Sequence, residues 1–125
     1  MARVYNGMNN YSGRFTPEVS TFVNCSVIPN GYSWFSVDGN IVNVQALLYV
    51  NATSNTSLVS FLIDMPIKQS SMITFRQVQG DGLIADSSNE NISVKYENGK
   101  VKMEAYPKLI GNAYWKVTFS YLIDL

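Results

Sequence analysis

The sequence predicts an all-β protein, a jelly-roll-like antiparallel β-sandwich of about eight strands with a short N-terminal arm. Three observations carry that prediction. From Glu18 onward apolar residues recur at every second position, the spacing at which side chains share one face of a strand. Turn-forming pairs, Asp38-Gly39 and Asn98-Gly99 foremost, separate the alternating runs. No window holds the i, i+3, i+4, i+7 stripe of an amphipathic helix. Thirteen Asn and fourteen Ser disfavour helix further, because both side chains compete for backbone hydrogen bonds.

In chain order, Asn6-Gly7, Asn9-Asn10 and Ser12-Gly13 are successive turn signals, so residues 1–13 read as an arm and 14–125 as a single domain. Val19, Thr21, Val23, Cys25 and Val27 form the first stripe. The Asp38-Gly39 turn joins Ser33–Val37 to Asn40–Val50, where Val42, Val44, Ala46, Leu48 and Val50 point one way and Asn43 and Gln45 the other. Val59, Phe61 and Ile63 make a third stripe, and Ile73 with Phe75 a short fourth. A turn is expected at Gly80-Asp81-Gly82. The strongest signal is Ile92–Glu97, Asn98-Gly99, Lys100–Ala105, in which Asn-Gly supplies the positive φ angles of a type I′ hairpin. Ile92, Val94, Tyr96, Val101, Met103 and Ala105 then share one face. The last strand, Ala113–Ile123, sets Trp115, Val117, Phe119, Tyr121 and Ile123 on one side, and Trp34 and Trp115 are the expected anchors of the core.

Composition bounds the function. The chain has 125 residues, 46% of them hydrophobic, enough for one domain with its own core. Nine Lys/Arg balance nine Asp/Glu and only 14% of residues are charged, so no field exists for nucleic acid or an anionic membrane. With no histidine and one cysteine, Cys25, the chain cannot build a disulfide framework, a Cys/His zinc site or a His-based catalytic centre from its own residues. The first residues hold no apolar run of signal-peptide length and no later segment reaches membrane-span length, which reads as assembly in a cytoplasm. The sequons at Asn24, Asn51, Asn55 and Asn91 then express Asn richness alone. No basic residue falls between Arg14 and Lys68. Chance in a weakly charged chain explains this, and so does a low-charge face used for contact. Few charges guard the edges of the early strands, as suits a protein that assembles.

The residues offer three kinds of candidate site. Of the carboxylates, Asp64 at a strand end and Glu104 are the acid/base candidates, but no two form a catalytic context, so no enzyme is expected. Asp81, Asp86, Asn89 and Glu90 offer hard oxygens in one loop region, yet their spacing fits no EF-hand and turns attract the same residues. No metal or cofactor is predicted. Aromatics cluster at Tyr32-Ser-Trp34-Phe35 and Tyr114-Trp115, beside Gly31 and Gly111-Asn112. Tyr32 and Tyr114, the latter out of phase with Trp115, are the candidates for exposed stacking on a glycan.

One order of features resembles the small β-sandwich proteins of tailed-phage virions, the capsid decoration (auxiliary) proteins and head- or tail-fibre modules, including those of crAss-like phages. The features are Trp34-Phe35 leading to Asp38-Gly39, then Ile41-Val-Asn-Val44, Ser57–Ile63 ending in Met65-Pro66, Gly80-Asp-Gly82 and the closing Phe119-Ser-Tyr121. Met65 stands where Leu is usual, and the basic residue often found before the glycine is missing. The resemblance covers Phe15 to Leu125. It implies a structural role on the surface of a bacteriophage virion, contacts with the major capsid protein or with fibre proteins, and a homotrimer. The alternative is a carbohydrate-binding module that recognises a host-surface glycan.

Overall fold

A computed structural model of the chain describes residues 4–5, 8–67, 78–86 and 88–123, with side chains from residue 11 onward. Among these there is no helix, and therefore none long and apolar enough to cross a membrane. Eleven strands are present: β1 (Val4–Tyr5), β2 (Met8–Phe15), β3 (Val19–Val23), β4 (Cys25–Ile28), β5 (Ser33–Asp38), β6 (Ile41–Ala52), β7 (Val59–Ile63), β8 (Gln79–Ala85), β9 (Asn91–Glu97), β10 (Lys100–Ala105) and β11 (Gly111–Leu122). They pair in the order β1-β2-β5-β6-β11-β8-β9-β10-β7-β3, with β4 alongside β6, and every pairing is antiparallel.

The twelve-residue strands β6 and β11 are the frame, paired along their whole length from Gly111↔Ala52 to Leu122↔Ile41. Val42, Val44, Leu48 and Val50 of β6 stand opposite Tyr121, Phe119, Trp115 and Ala113, so the apolar stripes of the two strands meet on one face. The sheet curls around that face. Val59, Phe61 and Ile63 of β7 and Val101, Met103 and Ala105 of β10 close the same core, and Phe61 packs 5.2 Å from Trp115. Burying each of these side chains larger than alanine contributes about 1.5–3 kcal/mol. The Tyr121 hydroxyl donates to Ile67 O (2.5 Å) and accepts from Ile67 N–H (3.1 Å), and burial pushes its pKa up, so the phenol stays protonated.

Local chemistry sets the turns. Asn98 and Gly99 both have positive φ (51° and 82°) and join β9 to β10 at Glu97↔Lys100, as a type I′ hairpin requires. Gly39 takes φ 64° in the β5–β6 turn. A further left-handed residue, Asn24 (φ 55°), forms a one-residue corner between β3 and β4. Its Nδ2 donates to Leu58 O (2.9 Å) and its carbonyl accepts from Thr53 N–H (2.9 Å), so the corner is tied to both ends of the β6–β7 loop. β3 leaves the corner along β7 and β4 leaves it along β6, which links the far end of the curled sheet to its middle.

Four expectations need correction. Strands number eleven, because β2 and the β3–β4 corner add elements that a simple stripe count merges. Gly80-Asp81-Gly82 is no turn but the body of β8. There a Cβ on Gly80 would lie 2.2 Å from Thr118 O, and one on Gly82 2.5 Å from Lys116 O, so glycine is what lets β8 approach β11. The stripe from Val19 to Val27 is broken: the register with β7 shifts between Ser20 and Val23, Thr21 has φ 55°, and Thr21, Phe22 and Val23 are all exposed. Trp34 is no core anchor. Phe35 and Val37 hold the inward positions of β5, which turns Trp34 to the outer face, 45% exposed against 1% for Trp115. Of the segment read as an arm, residues 8–13 lie in β2, with Asn10–Gly13 paired to β5. Ile73 and Phe75 lie outside the described residues.

Candidate functional site

The outward positions of the central strands form cross-strand rungs, which the register lists residue by residue. Arg14, Trp34, Gln45, Thr118 and Asp81 make one rung across β2, β5, β6, β11 and β8. Ser12, Ser36, Asn43, Ser120 and Gln79 make the rung on one side of it. On the other side run Leu47, Lys116, Leu83 and Asn91, and beyond them Ile28, Tyr49, Tyr114 and Ala85. The face is thus short amides and hydroxyls bordered by aromatic rings.

Between the Gln45 and Leu47 rungs lies a cleft of about 610 Å³, with Tyr32 at the β5 end and Asn91 at the β9 end. Tyr32 is 66% exposed and held from both sides in sequence. Its N–H donates to Asn30 Oδ1 (3.0 Å), an Asx turn, and the next residue, Ser33, is fully buried. The Ser33 hydroxyl accepts from Leu47 N–H (3.0 Å). That amide sits where the edge of β6 passes from β5, which ends its pairing at Gln45, to β4, which begins at Tyr49. A hydroxyl at this junction satisfies a backbone donor that neither strand reaches.

Tyr114, 44% exposed, lies one rung from the cleft with its ring 4.9 Å from that of Tyr49. Trp34 carries the Arg14 guanidinium over its ring at 5.2 Å. Both tyrosines singled out in the sequence are therefore on the same outer face, together with a tryptophan that sequence reasoning assigned to the core. Gln45, Thr118 and Lys116 were missed as site residues, and Asp81 was read only as a cation-ligand candidate. Their signal was present in the polar positions of the alternation, which define the opposite face as firmly as the apolar ones define the core.

The carboxylate candidates are engaged elsewhere. Asp64 meets Lys100 at 2.5 Å, and Glu104 meets Lys95 at 2.6 Å and Lys102 at 3.5 Å. The hydrogen bond from Lys95 is the main reason the Glu104 carboxyl is held below its ordinary range, the opposite of what a general acid needs. Asp86 Oδ1 accepts from Ser88 and Asn89 N–H, and Glu90 Oε1 from Lys108 N–H, so these oxygens shape loops. Asp81 points instead from β8 toward the cleft. Among the described residues no three acidic or thiol groups gather as a metal site would require. Cys25 is a half-buried thiol donating to Ser60 O (3.5 Å), and burial raises its pKa, which makes it a poor nucleophile.

A second surface feature lies at the Asn24 end of the molecule. Val23 pairs with Ser60 and Ala105 with Val59, so the end of β3 and the loop after β10 come to the same end of the sheet, as does the start of β11 opposite Ala52. Phe22, Val23, Tyr106, Leu109 and Ile110 are all exposed there, Ile110 by 62%. β3 is also the last strand of the pairing order, with its outer edge unpaired among the described residues. No protein-family model matches the chain, and no curated protein matches it.

Proposed function

We propose that the chain is a non-enzymatic structural protein of a bacteriophage virion, a capsid decoration (auxiliary) or head-fibre subunit. In this reading the curled sheet is a jelly-roll-like sandwich that self-associates, as a homotrimer, and contacts the major capsid protein or fibre proteins after assembly in the host cytoplasm. The observation that carries it is the apolar end. Five exposed apolar side chains, two of them on an uncharged strand whose outer edge is unpaired among the described residues, make a surface that water solvates poorly and that a neighbour covers well. Of these five, Phe22 and Val23 fall within the stretch lacking basic residues between Arg14 and Lys68, and Lys108 stands among the other three. The engagement of Asp64 and Glu104 in ion pairs supports the non-enzymatic part.

The test is direct. Particles purified by density gradient from cells producing this protein should carry it in fixed ratio to the major capsid protein, detected by antibody and by mass spectrometry. Purified particles that lack the protein, while the cell lysate contains it, would contradict the reading.

A further inference from the structure

We infer that the outer face of β5, β6, β11 and β8 is a binding site for a neutral oligosaccharide, seated in the cleft between the Gln45 and Leu47 rungs. This goes beyond the structural role and does not depend on it. The cleft is of the size that takes a small ligand, about 300–1,000 Å³. Its polar groups are uncommitted: the side chains of Gln45, Asp81, Asn91, Lys116 and Thr118 enter no hydrogen bond or ion pair among the described residues. Together they offer donors and acceptors in both senses, as vicinal hydroxyls demand, since each hydroxyl donates once and accepts twice. Tyr32 closes one end with an exposed ring, and the Tyr49–Tyr114 pair continues the apolar surface one rung further on. Such rings cover the C–H faces of a pyranose while amides and the carboxylate reach its edge.

Charge decides against other occupants. Among the described residues lining the cleft, Lys116 is the one cation and Asp81 the one anion, so the site is neutral overall and complements a neutral ligand. A phosphate chain or sulfated polymer would meet the Asp81 carboxylate. An extended peptide would find no strand edge, because β6 and β11 are paired on both sides.

The experiment is calorimetric titration of the full chain with neutral hexasaccharides (β-1,4-glucan, α-1,4-glucan, β-1,3-glucan and β-1,4-mannan) and with a heparin hexasaccharide. At least one neutral sugar should bind saturably with Kd below about 1 mM. Gln45→Ala and Tyr32→Ala should each weaken it about tenfold or more with melting temperature unchanged, whereas Tyr106→Ala, at the far end, should leave it unaltered. The inference is overturned if no neutral sugar binds at about 10 mM, if only heparin binds, or if both cleft variants bind as the native chain does. Absence of the protein from virions, or a monomeric mass, would leave this result standing, so the two readings fail separately.

Discussion

The β6–β11 ribbon and strand β3 use the same residue types and come out differently. In the ribbon Val42, Val44, Leu48, Trp115 and Phe119 are buried, and Asn43, Gln45, Lys116 and Thr118 are exposed, without a break over twelve residues. In β3 the alternation fails after two positions, and Phe22 and Val23 both face solvent. The difference lies in partners. The two ribbon strands are paired on both edges, so a slip of one residue would turn every buried side chain outward. Among the described residues β3 has one partner, with a shifted register and a left-handed corner directly after it, so its side chains answer to local geometry and leave an apolar surface uncovered. Continuous pairing makes a core; its absence leaves a surface free for a neighbour.

Substitutions should reproduce that gradient. Trp115→Ala, which empties the largest fully buried position of the ribbon, should cost about 4 kcal/mol in urea unfolding, with a lower midpoint and an unchanged slope. Gly80→Ala attacks the contact of β8 with the same ribbon. Its methyl group meets backbone rather than a movable side chain, so a loss of about 3 kcal/mol is expected. Asn24→Ala removes the Leu58 hydrogen bond and places a Cβ without a compensating polar group at φ 55°, for about 2 kcal/mol. Asn24→Gly should recover part of that loss, because it lifts the backbone cost and leaves the bond missing.

The smallest effect sharpens the comparison on the β9–β10 side. The folded-state pKa of Glu104 lies below its unfolded value, near 4.5, through the Lys95 hydrogen bond first. Its contribution is therefore fully present above about pH 4.5 and is lost as pH falls through the lower, folded value. Glu104→Gln should flatten the acid limb of the stability–pH curve and leave its slope between pH 6 and 8 unchanged, as read by thermal unfolding across pH.

What could be read from the sequence follows the same division. The Asn98-Gly99 and Asp38-Gly39 hairpins and the inward residues of β6, β7, β10 and β11 were legible, since each rests on local rules that tertiary pairing reinforces. Trp34 was not. It falls in the outward phase set by Phe35 and Val37, but a ring of that size reads as core until the buried Ser33, bonded to Leu47 N–H fourteen residues away, fixes that phase. Gly80 and Gly82 looked like turn residues, because sequence reports a glycine's freedom but not the close approach of β11 that requires it. For the candidate site, Tyr114 could be named from its phase against Trp115, whereas Tyr32 shares the phase of Trp34 and the cleft it closes exists only through the register of β6, β11 and β8.

The central claim is that the uncovered end around Phe22 and Ile110 is a self-association surface. Light scattering gives the absolute mass of the native chain and of the Phe22→Lys/Ile110→Lys double variant. Both positions are solvent-exposed, so the substitutions should change monomer stability by no more than about 0.5 kcal/mol. The account predicts an integral multiple of 14.0 kDa for the native chain, threefold for a trimer, and a folded 14.0 kDa monomer for the variant. A native chain that is already a monomer, or a variant that keeps the native mass, would contradict it.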